Sequence, residues 1–256
     1  MKALAKGFSE ISKKPLAIIP ALIVLFIIGL IFWLVSDSFV EIIFNTVFLE
    51  DIPDSTLAEL PFHLFSLYAL DFIILGIWAL VSALLVTALG FYYAAIAKGS
   101  GITESIGKTI EQAKNITSVF ALFLVLAVFF AILFWIFLIL GTINLWLFIV
   151  PEIIITIAAV FITVKIAFTI PIIEVENTSL KKALEKSWKT TDKKFWLTLA
   201  FLIILGIILN IILGIGSMVS DIIPEETIGV IVFAVFASIM LAYAGLTMAF
   251  YYLEKK

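Results

Sequence analysis

Apolar runs of roughly 20 residues or more, separated by short mixed stretches, set the pattern of this chain. The run at 15–35 is long enough to cross a hydrocarbon core about 30 Å thick. Further spans are expected at 65–95, 118–140, 145–173 and from 195 to about 215, and a sixth ends at Tyr252. The first run is too long for a signal-peptide core and has no small-x-small cleavage site, so it reads as a retained span. The expected fold class is therefore all-α, a polytopic membrane protein with six transmembrane helices. Gly141, Thr142, Ile143 and Asn144 make so short a link that the third and fourth spans must form an antiparallel hairpin. Pro151 and Pro171 kink the fourth span or mark its ends.

Between 177 and 195 the pattern changes. Leu180, Ala183, Leu184, Ser187, Trp188 and Thr191 fall on one side of a helix, and Lys181, Lys182, Glu185, Lys186 and Lys189 on the other. This spacing predicts an amphipathic helix in the headgroup plane, with Asn177, Thr178 and Ser179 as cap candidates, feeding the fifth span past Lys193 and Lys194. A shift of 180 positions lays Ala3, Leu4, Lys6, Phe8, Lys13 and Lys14 on Ala183, Leu184, Lys186, Trp188, Lys193 and Lys194. A shift of 78 lays Ile106, Lys108, Ile110 and Ala113 on Leu184, Lys186, Trp188 and Thr191. Phe91, Tyr92 and Tyr93 recur as Phe250, Tyr251 and Tyr252. The single membrane domain thus reads as three repeats, 1–97, 98–176 and 177–256, each an amphipathic helix followed by a hairpin of two spans. The surface helices fall at 1–14, at 98–117 with its flanks, and after 177.

Composition agrees with this picture and narrows the chemistry. With 64% hydrophobic and 14% charged residues, the chain has more apolar surface than a soluble core of its length could hide. It has no Cys and one His, which removes disulfides, thiolate sites and His-based metal clusters. The net charge of −3 conceals a segregation: all 16 basic residues are Lys, and 15 of them lie at the termini or after spans two and four. The opposite loops have none; that at 36–63 is acidic, with an interfacial helix expected near 39–49. The positive-inside rule then puts both termini and all three surface helices on the cytoplasmic face of the cell membrane. Lys165, in the inner half of span four, is expected to snorkel toward the same face.

Charged and polar groups inside a bilayer are functional candidates by default. Asp71 and Glu152 lie toward the outer ends of spans two and four, as an acidic pocket or as groups reaching interfacial water. Lys165 sits deeper toward the cytoplasm, too far from Asp71 for a direct pair, and Asn210 reads as interhelical glue. Gly76, Ala83 and Gly90, and likewise Ala234, Ser238 and Ala242, form small-residue packing stripes. His63 near Asp54 and Glu59 reads as a solvated loop residue. No catalytic constellation, phosphate-binding glycine loop or zinc motif appears, so no enzyme activity, cofactor or metal site is expected, and nothing supports nucleic-acid binding. The lysine-rich side offers the best lead. Lys6, Lys108 and Lys186, equivalent in the three copies, together with Trp188, are lipid-headgroup candidates, the competing reading being that the lysines only fix orientation.

Residues 171–176, Pro-Ile-Ile-Glu-Val-Glu, followed by Ala183, Leu184, Lys186, Ser187, Trp188, Thr191, Phe195 and Trp196, carry a resemblance. This pattern resembles the multi-span proteins grouped with the membrane domain of glycerophosphoryl diester phosphodiesterase. The similarity is specific over 168–205 and architectural elsewhere. It implies a six-span helical domain of unknown molecular role, sometimes joined to a phosphodiesterase barrel. These 256 residues contain neither that barrel nor its catalytic acid and metal residues, so the enzymatic name does not transfer. The expected function is a non-enzymatic, lipid-interacting scaffold or partner-binding bundle. Its partners would be membrane lipids and other membrane proteins. A small transporter or channel using Asp71, Glu152 and Asn210 is the alternative, although an odd number of same-facing repeats fits paired inverted halves poorly.

Overall fold

The computed structural model describes residues 2–30, 60–143 and 145–255, with the backbone alone described at 60–75, 138–139, 141–143, 145, 147–148 and 226. The described elements are helices: α1 (Lys2–Lys13), α2 (Pro15–Leu30), α3 (Leu60–Ala97), α4 (Ile102–Glu111) and α5 (Ala113–Ile143). They continue as α6 (Leu145–Ile166), α7 (Thr169–Glu176), α8 (Leu180–Asp192), α9 (Phe195–Ile222) and α10 (Glu226–Lys255). The acidic loop and the interfacial helix near 39–49 lie outside the described residues.

Five stretches are long and apolar enough to cross a membrane: Gly76–Ala97, Ala113–Phe137, Ile149–Glu176, Phe195–Ile222 and Thr227–Lys255. Counting α1 and α2 together, bent by 104° at Pro15, as one further span gives six. Side chains such as Val125, Ile157 and Ile207, each more than half exposed, leave these helices with an apolar outer surface suited to the interior of a bilayer. This is an integral, multi-pass, all-helical membrane protein.

The tight core sits at one end of the bundle. There Phe91, Tyr92 and Tyr93 at the end of α3 and Tyr243, Tyr251 and Tyr252 in α10 are buried with Phe168, Ile172 and Ile173. Aromatic packing is direct, with the Phe201 and Tyr251 rings stacked 3.8 Å apart. Close approach requires a missing side chain at Gly245, where a Cβ would stand 2.8 Å from the Tyr93 Cβ. Of the stripe expected along α3, Gly90 faces Ile170 of α7, whereas among the described residues nothing lies within 4 Å of where a Gly76 Cβ would stand.

The fourth span is broken, and the sequence explains where. Pro171 has no N–H to give Ala167, and its ring crowds that carbonyl, so a helix running through 167–171 is disfavoured. The chain accordingly leaves helix at 167–168 and resumes at Thr169. Pro151, by contrast, stays inside α6. At its far end α7 stops on Asn177, held in the left-handed conformation (φ 48°, ψ 52°), with the Asn177 and Thr178 N–H groups both donating to the Ile173 carbonyl. Asn177 therefore closes α7 instead of capping α8. Ser179 holds the N-cap position of α8 with an extended backbone and no side-chain cap bond.

Candidate functional site

The break in span four is where α8 docks. Ser187, fully buried, accepts a hydrogen bond from the Phe168 N–H (3.3 Å) and donates one to the Lys165 carbonyl (2.7 Å). One hydroxyl thus satisfies two backbone groups that the interruption frees, which fixes α8 across the end of α6. The buried stripe of α8 is Ala183, Ser187 and Thr191, and that of α1 is Ala3, Gly7 and Ile11.

Docking of α8 changes the environment of Lys165. Its side chain is 3% exposed, its ammonium is ion-paired with Asp192, and the rings of Trp188, Phe161 and Phe195 lie 5.1, 5.2 and 5.8 Å away. Snorkelling to water was the expectation; the structure instead gives the ammonium a carboxylate and three π-faces, because α8 covers the path to solvent. Of this group, sequence reading had singled out Lys165 and Trp188 and had missed Asp192.

The three lysines that the sequence alignment superposes each meet a carboxylate. Lys6 pairs with Glu254 of α10 at 3.5 Å, Lys108 with Glu104 at 2.6 Å, and Lys186 with Glu176 at 2.5 and 2.7 Å. Tyr252 also donates to Glu176 (2.5 Å), so one carboxylate ties α7, α8 and α10. Lys108 further donates to the Ser100 hydroxyl, and Lys98 to the Glu174 carbonyl, joining the α3–α4 corner to α7. The Lys108 ammonium holds the exposed Glu104 carboxyl below its ordinary range, and Glu104 raises Lys108 in return. These contacts bring the lysine-bearing ends of α1, α4 and α8 to the same end of the bundle as the tyrosine-rich core.

Residues 137–254 match the family model for the membrane domain of glycerophosphoryl diester phosphodiesterase. The match bears out the resemblance read from residues 171–196 and extends it to the end of α5 and through α6–α10. It spans just under half the chain and includes Lys165, Ser187 and Asp192, while α1 to α4 lie before it. No curated protein and no solved structure matches this sequence.

The intramembrane candidates are dispersed. Glu152 lines a cavity of about 660 Å³ between α5, α6 and α9, among Phe130, Phe134 and Trp135, and its Oε2 is buried without a hydrogen-bond partner. Asn210 is exposed on α9 and donates to the Gly206 carbonyl of its own helix (2.9 Å); it does not line the Glu152 cavity. Asp71 and His63 lie in α3 where the backbone alone is described. Among the described residues no three acidic or His side chains gather as a metal ligand set.

Proposed function

We propose that this chain is a non-enzymatic protein of the cell membrane whose lysine-bearing end faces the cytoplasm and engages anionic lipid headgroups. The bundle then serves as a scaffold or as a docking partner for other membrane proteins. One observation carries the reading: short lysine-bearing helices pack at a single end, flanked by Trp188 and Trp196 at 44% and 78% exposure. Exposed Trp beside Lys is the signature of a headgroup layer. Because Lys6, Lys108 and Lys186 are each matched by a carboxylate, their net pull on an anion is small. Lysines without such a partner supply the remaining field.

The threefold repeat is supported by burial as well as by residue identity. The 180-position shift lays Ala3, Gly7 and Ile11 on Ala183, Ser187 and Thr191, so the buried stripes of α1 and α8 coincide. The 78-position shift lays Ser105, the buried residue of α4, on Ala183. The transport alternative has less behind it. Glu152 and Asn210 occupy separate surroundings, and apart from Thr156 and Thr163 the wall around Glu152 is apolar.

Native mass spectrometry of the detergent-purified chain, offered equal amounts of phosphatidylglycerol and phosphatidylcholine, tests the lipid reading. Preferential retention of the anionic lipid is expected, and equal retention refutes it. Protease applied outside sealed vesicles tests orientation, since cleavage near Thr103 or Thr190 would reverse it.

A further inference from the structure

Resting on the lipid reading and sharpening it, we infer that a specific cavity at this end is a binding site for a phosphate group, supplied by an anionic phospholipid headgroup. The cavity measures about 550 Å³ and opens between the last turn of α8, the start of α9 and the end of α10. That volume lies in the usual range for small-ligand sites, about 300–1,000 Å³.

Its charge balance is one-sided. Lys186, Lys189, Lys193, Lys194 and Lys255 line it against a single acid, Asp192. Asp192 is already paired with Lys165, and Lys186 with Glu176. Lys189, Lys193, Lys194 and Lys255 have no carboxylate within ion-pair distance among the described residues, which leaves four positive charges without a matching anion around one concavity, Lys255 with its ammonium 5.3 Å from the Tyr251 ring centre. Like charges gathered in this way repel one another, and a bound anion relieves that repulsion.

The buried side of the cavity is polar and adds donors. Thr198 and Tyr251 line it at 2% and 5% exposure, and the Tyr251 hydroxyl, beside that of Thr198, is buried without a well-formed hydrogen bond. The first turn of α9 begins between Lys194 and Thr198 with no side-chain cap, so its free N–H groups add to the positive potential. Compact ammonium groups bind phosphate as point charges and can approach a tetrahedral oxyanion from several directions at once. Trp196, two residues beyond Lys194 and mostly exposed, fixes the cavity at headgroup level, which favours a lipid as the source of the phosphate.

The test uses the full chain in phosphatidylcholine nanodiscs doped with phosphatidic acid, with retained lipid read by native mass spectrometry. A variant carrying K189Q, K193Q, K194Q and K255Q is compared with K2Q, K13Q, K114Q and K181Q, which removes as many charges away from the cavity. At about fivefold for each lysine that touches the phosphate, engagement of two of the four already gives about a 30-fold loss in phosphatidic acid retention and engagement of all four about 600-fold, so the cavity variant should lose at least about 30-fold and the control about threefold or less. Tyr251→Phe, which removes only the hydroxyl, should lose about fivefold with an unchanged melting temperature, so the idea stays exposed to refutation if the multiple variant fails to fold. Equal losses in the two lysine variants overturn the cavity and leave the general lipid reading standing. No preference of the parent chain for phosphatidic acid over phosphatidylcholine overturns both. If inorganic phosphate binds the parent as tightly as phosphatidic acid and the cavity variant loses it, the ligand is the soluble anion and the lipid assignment falls.

Discussion

Removing the Asp192 carboxylate should destabilise the protein more than removing the Lys165 ammonium it neutralises. The asymmetry follows from exposure, since the Lys165 side chain is 3% exposed and that of Asp192 is 52% exposed. Asp192→Ala leaves a buried cation facing only ring faces, whereas Lys165→Met leaves a carboxylate that water already reaches. Breaking a fully buried pair costs about 3–5 kcal/mol. The half-solvated partner and the surrounding rings reduce this, to about 2 kcal/mol for Asp192→Ala. Methionine fills a similar volume and its sulfur packs well against rings, so Lys165→Met should stay within about 1 kcal/mol of the parent. In the Lys165→Met background, Asp192→Ala should add no more than about 0.5 kcal/mol, because no buried charge is left to strand. For a chain of this size about 2 kcal/mol corresponds to about 4–8 °C in Tm. Thermal melting in nanodiscs followed by tryptophan emission reads all four proteins, with Trp188 as a reporter inside the cage. Equal drops for the two single variants that add in the double would refute the reasoning.

Ser187→Ala should cost about 2 kcal/mol by orphaning the Phe168 N–H, and hydrogen exchange across Leu180–Asp192 should accelerate more than that of α9; uniform acceleration would argue against a local clamp. Gly245→Ala should lower stability by about 1–3 kcal/mol, because the added methyl meets the Tyr93 Cβ at the α3–α10 contact; a melting temperature unchanged from the parent would contradict that packing. Glu104 is held below its usual range by Lys108, so its contribution to α4 is complete at neutral pH and disappears as pH falls through that lowered value. Exchange protection of Ile102–Glu111 should therefore hold down to about pH 5 and drop only under stronger acid. Glu104→Gln should abolish this acid-dependent step, and its persistence would assign the step to another carboxyl.

Element type and order were legible because membrane solvent imposes them: each apolar run must satisfy its own backbone, and helix is the only local way to do so. The lysine helices were legible from their 3.6-residue period, which by itself puts Ala183, Ser187 and Thr191 on one face. What escaped the sequence was what that face does. Ser187 read as a small residue on an oily side, but its hydroxyl serves a break created 16 positions earlier, at Pro171, in a different helix. The break itself was foreshadowed, since Pro171 was marked as a kink or an end, yet no spacing rule says which side chain will mend it.

Lys165 illustrates the same limit from the electrostatic side. Read along one helix, a lysine near a span end has one inexpensive solution, to extend into water. Asp192 lies 27 positions away, at the last turn of α8, and the pair forms only because Ser187 and the Pro171 break have already set the angle between α6 and α8. A backbone interruption, a hydroxyl that repairs it and an ion pair that follows are therefore one device. Its outer edge supplies Lys186, Lys189, Lys193 and Lys194 to the basic cavity. If α8 is released by Ser187→Ala, those four lysines should lose their convergence and phosphatidic acid retention should fall along with exchange protection. Were retention to survive that release, the lysines would be acting as a loose charged surface, and the geometry of the cavity would be irrelevant to binding.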